Sequence, residues 1–412
     1  MVLVATEQNQ VFSIEASTGA LLWERIVDLP TPRNILVQAV GPCGNLDPIG
    51  ITGTPVIDAA TRRMYVDVAT PDSDRYYRHL VYALSLDNGS TVPGWPVDVG
   101  KSVTGFRDVV QNQRGALLLL NDRVYIPYGG HAGDCSDYRG WVVGISTIDP
   151  SSIRAWQTDV LGAGIWAPSG VASDGASLFV ATGNATEVVT DWSGSEAIIR
   201  LAEGPAFSGS PADYFVAPNW PALDDEDNDL GGSGVVLFDL PNRNANLLAA
   251  LGKDGKMYLG ARSNLGGIGG AVLTETVSDS GIITAPSVYA SSSGTHVAFS
   301  VLGSGVHCSK EKNILSIVIN PTSPLTTSTA WCASAPGGGS TMVTTTDGTS
   351  ESIVWAVGAE GDNRLHGFDG DTGAPIAVVD GAVNVVHMMA PIAAKGRIFV
   401  AGTDWLYAFT LH

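Results

Sequence analysis

Short apolar runs rich in Val, Ile, Tyr and Phe recur along the chain, each broken after a few residues by Gly, Pro, Asp, Asn or Ser. Arg63–Ala69, Arg123–Tyr128, Leu178–Thr182 and Arg397–Ala401 are of this kind. Runs of this length bounded by turn residues predict β-strands buried on both faces. Helical periodicity is nearly absent, so the chain reads as all-β. The pattern also repeats, with a period of roughly 50–60 residues that belongs to stacked propeller or solenoid units. Its clearest copies are Thr54-Pro55-Val56-Ile57-Asp58 with Arg63-Met64-Tyr65-Val66; Ala167-Pro168-Ser169-Gly170 with Ser177-Leu178-Phe179-Val180; Ala285-Pro286-Ser287-Val288 with His296-Val297-Ala298-Phe299; and Ala390-Pro391-Ile392-Ala393 with Arg397-Ile398-Phe399-Val400. Each is a strand, a brief polar turn and a second strand; weaker copies start near Gly115, Gly234 and Ser340.

Counting these units predicts a single eight-bladed β-propeller spanning residues 1–412, built of four-stranded antiparallel blades whose strands A to D run from the axis outward. Val2–Thr6, Gln10–Glu15 and Ala20–Val27 read as strands B, C and D of a first blade without its A. Met389–Ala393, Arg397–Ala401 and Trp405–Thr410 read as A, B and C of a last blade without its D. Seven blades is the competing count, with Ala20–Val27 completing the last blade. A missing first strand would also suit an N-terminus trimmed from a longer parent. The A–B turns are brief. The long segments, 28–53, 70–78, 100–115, 129–140, 184–196, 217–234 and 303–313, fall on B–C and D–A positions, which open on one face. Loops presented by a rigid scaffold carry function, so that face is the expected working face.

Composition narrows the function classes. A formal net charge of −19, with Lys and Arg scattered, argues against a nucleic-acid partner. No apolar run is long enough for a membrane helix. No signal peptide is visible, and Met1–Ala5 already reads as strand. The four cysteines permit three pairings. Cys308 and Cys332 fall within one repeat, while Cys43 and Cys135 sit in long loops of neighbouring repeats; these two pairs would place the protein in an oxidising compartment, extracellular or periplasmic. Four buried thiols is the alternative.

Ser13-Ile14-Glu15-Ala16-Ser17-Thr18-Gly19-Ala20-Leu21-Leu22-Trp23 resembles the tryptophan-docking motif of quinoprotein-type propellers, Ala-x-Asp-x-x-Thr-Gly-Lys-x-x-Trp. Gly367-Phe368-Asp369-Gly370-Asp371-Thr372-Gly373 looks like a second copy, with Ala377 in place of Trp, and Ala83–Gly89 like a looser third. In layout the whole chain is similar to the secreted bacterial PQQ-binding-like β-propeller repeat proteins. The resemblance implies the fold; the motif is a packing device shared by dehydrogenases and inert scaffolds. PQQ chemistry would need an aromatic floor, partners for three carboxylates, a Ca²⁺ and an Asp base. The lid disulfide of the alcohol dehydrogenases needs adjacent cysteines, and this chain has none. Arg33, Trp166 and Asn184 are the residues available to hold a ligand, and PQQ is not the expected one.

Three further groups bear chemistry. Asp225, Asp227 and Asp229 alternate in an acidic segment and offer oxygens to a Ca²⁺, or form a solvated loop. His131, Asp134, Tyr138 and Arg139 crowd one long loop with acid–base side chains. His387 precedes an innermost strand near the channel mouth, where propeller lyases place such residues. The leading expectation is a propeller that binds a small molecule, glycan or protein on its long-loop face. An enzyme, either a PQQ- and calcium-dependent dehydrogenase or a carbohydrate-active lyase or hydrolase, is the alternative. A surface or filament component is the third reading.

Overall fold

The computed structural model describes residues 1–240, 243, 245–348 and 350–410. Eight sheets follow one another along the chain as the eight blades of a β-propeller; they are not all four-stranded and antiparallel as expected, since Gly267–Ile268 adds a short parallel fifth strand beside Tyr214–Val216. The strand Leu21–Ile26 pairs with Gln10–Ile14 in the first sheet, so it is not spent on completing the last blade, and the count is eight. The first and last sheets have three strands each: Val2–Ala5, Gln10–Ile14 and Leu21–Ile26; Ile392–Ala394, Arg397–Ala401 and Leu406–Phe409.

The chain divides into two compact units, Met1–Gly209 and Ser210–His412. In the first, the second blade is Val56–Asp58, Arg63–Asp72, Tyr76–Ser85 and Val97–Asp98; the third is Leu118–Leu120, Arg123–Tyr128, Trp141–Ser146 and Ile153–Gln157. In the second, the sixth blade is Ser287–Ser291, Gly294–Ser300, Ile314–Asn320 and Thr326–Ala333; the seventh is Met342–Thr344, Ile353–Val357, Leu365–Asp369 and Pro375–Val379. In the sheets of four or more strands, strands B and C are mostly buried, because neighbouring blades pack face to face, whereas Val2–Ala5, Gln10–Ile14 and Leu406–Phe409 of the three-stranded sheets are largely half-buried. Tyr65, Val81 and Ala83 of the second blade share one core with Val124, Ile126 and Val143 of the third. Leu247, Ala249 and Leu259 likewise share one with Val297, Phe299, Leu315 and Ile317.

Two tryptophans tie consecutive blades. The Trp23 indole donates to the Leu86 carbonyl at 2.9 Å, and its ring lies against Gly89, where a Cβ would come within 2.9 Å. Trp331 donates to the Gly370 carbonyl at 2.7 Å and lies against Gly373. Both glycines have φ of +69°, a backbone that other residues rarely adopt. A Thr-Gly or Asn-Gly turn therefore receives its tryptophan from the preceding blade, which is why Ala377 leaves the turn at Gly373 intact.

Two loop expectations change. Residues 70–78 are mostly strand: Thr70 pairs with Arg78 and Asp72 with Tyr76, leaving a turn of 73–75. The Asp72 carboxylate accepts the backbone N–H of Asp74 and Arg75, closing a hairpin that its polar residues disguise as loop. Length is also not confined to B–C and D–A positions, since the C–D connections 86–96 and 203–213 are long as well.

Candidate functional site

Within residues 1–209 the long connections are laced together by backbone pairing. Asn112 bridges Gly129, Arg139 bridges Gly162, and Gly162 bridges Ala185. Cys43 and Cys135 lie at disulfide distance, with Cα atoms 6.1 Å apart, and strap residues 28–55 to the loop 129–140. The helix Arg33–Val40 buries Leu36 against Ile49, Ala69 and Tyr77. The second pair, Cys308 and Cys332, has Cα atoms 5.9 Å apart.

Beneath these loops the extended hairpin carries a buried polar network. His79 Nδ1 lies 2.7 Å from one oxygen of Asp67, whose other oxygen accepts the Tyr128 hydroxyl at 2.7 Å. His79 Nε2 lies 3.1 Å from the Gln111 carbonyl. Both ring nitrogens thus face acceptors, which calls for the doubly protonated ring. Burial opposes that charge, but the Asp67 carboxylate outweighs it and raises the imidazole above its ordinary value. The His79 backbone N–H donates to Asp108 at 2.8 Å, and Arg75 joins Asp108 to Asp98 at 2.9 and 2.8 Å. The Tyr77 hydroxyl sits 2.8 Å from the Gln111 carbonyl and 2.6 Å from His131 Nε2. Burial, then the nearby acidic groups, hold Tyr77 and Tyr128 well above the ordinary phenol value.

His131 is the opposite case. Burial, helped by the charge on His79, pushes it down to about 4 from 6.5, so it stays neutral. The unfolded chain takes up this proton near the ordinary value, while the folded protein refuses it until about pH 4. The stability is complete above about pH 6.5 and is lost on acidification through that window, by roughly 3 kcal/mol. His79 does not mask the slope, because its raised value makes its contribution fully present below the unfolded value and lost only as pH rises. Urea titrations at pH 7.5 and 4.5 should therefore show a smaller acid loss in His131→Gln than in the parent; equal losses would refute this.

The sequence-derived residues fall into separate roles. Tyr138 is buried against Gly130 and donates to Asp134 at 2.6 Å; the Arg139 guanidinium donates to the Thr158 carbonyl at 3.1 Å. Of these side-chain bonds only Tyr138–Asp134 lies within the loop; His131 and Arg139 tie it outward, to the Tyr77 hydroxyl and the Thr158 carbonyl. Arg33 Nε donates to the Cys43 carbonyl at 3.4 Å, at the disulfide strap. Asn184 is nearly buried, and its backbone carbonyl accepts Ala163 N–H at 2.6 Å. His387 belongs to the second unit, half-exposed, with Nδ1 2.7 Å from Glu360. The acidic trio is split: Asp225 lies in the helix Trp220–Glu226, while the Lys253 ammonium holds Asp227 at 2.7 Å and Asp229 at 2.5 Å. Among the described residues no group of three His, Cys, Asp or Glu is arranged to hold a metal ion.

Trp166 acquires a partner the sequence reading missed. The Arg114 guanidinium stands over its ring at 5.1 Å and donates through Nε to its backbone carbonyl at 3.2 Å. Both residues are half-exposed at the entry to innermost strands of the third and fourth blades. Asp67 and His79 were also missed, although each is a polar residue on an inward-facing position of an apolar strand, which is a legible signal of a buried pair.

No protein-family model and no curated protein matches the sequence. Among solved structures the chain is similar to a europium-containing methanol dehydrogenase, with 11% identity, TM-score 0.61, and 97% of this chain and 78% of that one covered. It is also similar to a chain of a mitotic checkpoint complex, at 11% identity and TM-score 0.51 over 88% of this chain and 90% of that one. A computationally designed protein, Ika8, matches at 11% identity and TM-score 0.50, over 99% and 92% of the two chains. At such identities these likenesses establish the β-propeller fold.

Proposed function

We propose that this chain is an extracellular or periplasmic binding propeller that engages a carboxylate-bearing ligand with a flat face, such as an acidic glycan, through the connections of its first unit. The observation that carries this reading is the Arg114–Trp166 stack. An indole offers a flat surface for a sugar ring, and a guanidinium offers paired donors for a carboxylate. The loops around it are strapped by the Cys43–Cys135 pair and by the Asp67–His79 network, so the shelf is held before a ligand arrives, which lowers the cost of binding. The cysteine pairs support an oxidising compartment, and among the described residues no helix is long and apolar enough to cross a membrane.

Calorimetry with uronate-containing oligosaccharides tests the proposal. Arg114→Ala and Trp166→Ala should each weaken binding about tenfold or more, in keeping with about 1.5–3 kcal/mol for a hydrogen bond to a charged group and a comparable loss of stacking area. Affinity unchanged in both variants would sink it.

The likeness to a methanol dehydrogenase favours a second reading, a quinone-dependent oxidoreductase. Among the described residues no group of three His, Cys, Asp or Glu is arranged to hold a metal ion, so this second reading rests on the fold alone. Adding PQQ with calcium or a lanthanide and following absorbance and dye reduction separates the two: stoichiometric uptake with dye reduction overturns the binding reading. Lys253 also bears on calcium. Its ammonium already pairs with both Asp227 and Asp229, so millimolar calcium should leave the melting temperature unchanged. A rise of several degrees would instead assign the acidic segment to the ion.

A further inference from the structure

The sixth blade carries a hydroxyl–imidazole cluster at its A–B turn, at the other end of the strands from the B–C connection. The strands Ser287–Ser291 and Gly294–Ser300 are joined by the exposed residues Ser292 and Ser293. His296, wholly buried on the second strand, places Nε2 2.9 Å from both Ser291 Oγ and Ser293 Oγ. Its Nδ1 lies 2.9 Å from Ser316 Oγ, which is 2.8 Å from the Tyr289 hydroxyl, which donates to the Gly370 carbonyl at 2.7 Å. The Tyr289 ring stacks on the imidazole at 4.7 Å and 15°, so the ring plane is fixed.

The Tyr289 hydroxyl donates to the Gly370 carbonyl, which also accepts the Trp331 indole N–H at 2.7 Å, and the tautomer of His296 is assigned from that donor. The Ser316 proton then points at Tyr289, and Ser316 Oγ accepts Nδ1–H from His296. The Nε2 lone pair is left facing the two serine hydroxyls. Burial lowers the His296 value, keeping the ring neutral and able to accept a proton. A hydroxyl, a base within hydrogen-bond reach and a third group orienting the base are the parts of an activated nucleophile. Ser291 Oγ is half-buried and accepts the Ser293 backbone N–H at 3.1 Å, whereas Ser293 is exposed to reagents in solution.

We infer that Ser293 is a nucleophile activated by His296 toward activated acyl and phosphonyl compounds, with Ser316 as a positioning residue. Ser293 Oγ attacks the carbonyl carbon of an activated ester while its proton passes to His296 Nε2. The bond from carbon to the leaving oxygen breaks, and that oxygen takes the proton from Nε2. A water molecule, deprotonated by the same nitrogen, then cleaves the acyl–serine bond and returns the proton to Ser293. With a fluorophosphonate the Oγ–P bond forms, P–F breaks, and fluoride and a proton leave.

The full chain is to be treated with a fluorophosphonate probe and the modified peptide mapped by mass spectrometry. Label on Ser293 that disappears in Ser293→Ala, with the melting temperature unchanged, is the expected result. The rate should exceed that of an unassisted serine about a hundredfold or more and rise with pH as the imidazole loses its proton. Ser316→Ala, which leaves the base in place, should slow labelling and move this profile. A folded parent that takes no label, a label on Ser291 or elsewhere, or a rate independent of pH between about 5 and 9 would each overturn the inference.

Discussion

Replacing Cys43 and Cys135 together by serine is expected to lower the stability by about 4–5 kcal/mol. The pair is separated by 92 residues, and a cross-link that closes so long a loop removes much conformational freedom from the unfolded chain. The Cys308–Cys332 pair spans only 24 residues, so Cys308→Ser with Cys332→Ser should cost less, about 3 kcal/mol. Urea denaturation of both double variants without reductant measures the order. A larger loss for the shorter loop would contradict it. The first replacement also releases the strap over residues 28–55 and 129–140, so under the proposed function it should weaken binding at the Arg114–Trp166 shelf, while the second should not.

Asp67→Ala is expected to destabilise the protein by about 3–5 kcal/mol, because it strips the counter-charge from a buried imidazolium and an acceptor from Tyr128. His79 is then forced to release its proton, and Nδ1 or Nε2 loses its donor role toward one partner. The parent's contribution from this pair is present below the unfolded histidine value and is lost as pH rises through the raised folded one. The variant should lack that alkaline decline. Stability measured by urea between pH 6 and 9, together with the imidazole titration by NMR, checks both parts. A loss under about 1 kcal/mol would mean the pair is not charged in the folded state. Asp67→Asn combined with His79→Gln removes both charges and should recover part of the loss.

Much of the architecture was legible in the residues. Apolar runs such as Arg63–Ala69 and the repeat of Pro-led strand pairs predicted all-β blades, and the unpaired first and last segments predicted two three-stranded sheets. The cysteine placement predicted both pairs. Residues 70–78 misled because Pro71, Asp72 and Ser73 have loop chemistry, yet cross-strand pairing continues to Asp72–Tyr76. The loop 129–140 was singled out for its acid–base side chains; in the fold His131 meets the Tyr77 hydroxyl, Tyr138 the Asp134 carboxylate and Arg139 the Thr158 carbonyl. The acidic segment offers oxygens for a cation, and Lys253, distant in sequence, places its ammonium on Asp227 and Asp229, a pairing the segment's own sequence does not show.

What this sequence determined unaided was its strand pattern and its propeller repeat; the choice between seven and eight blades fell to the pairing of Leu21–Ile26 with Gln10–Ile14. Burial of apolar area is cumulative and local in register, so it survives in the order of the residues. Tertiary structure alone decided which polar groups meet: Asp67 with His79, Arg114 with Trp166, His296 with Ser293. Those contacts form across strands and blades within about 3–5 Å, and a shift of one residue in register would turn the same side chains to the opposite face.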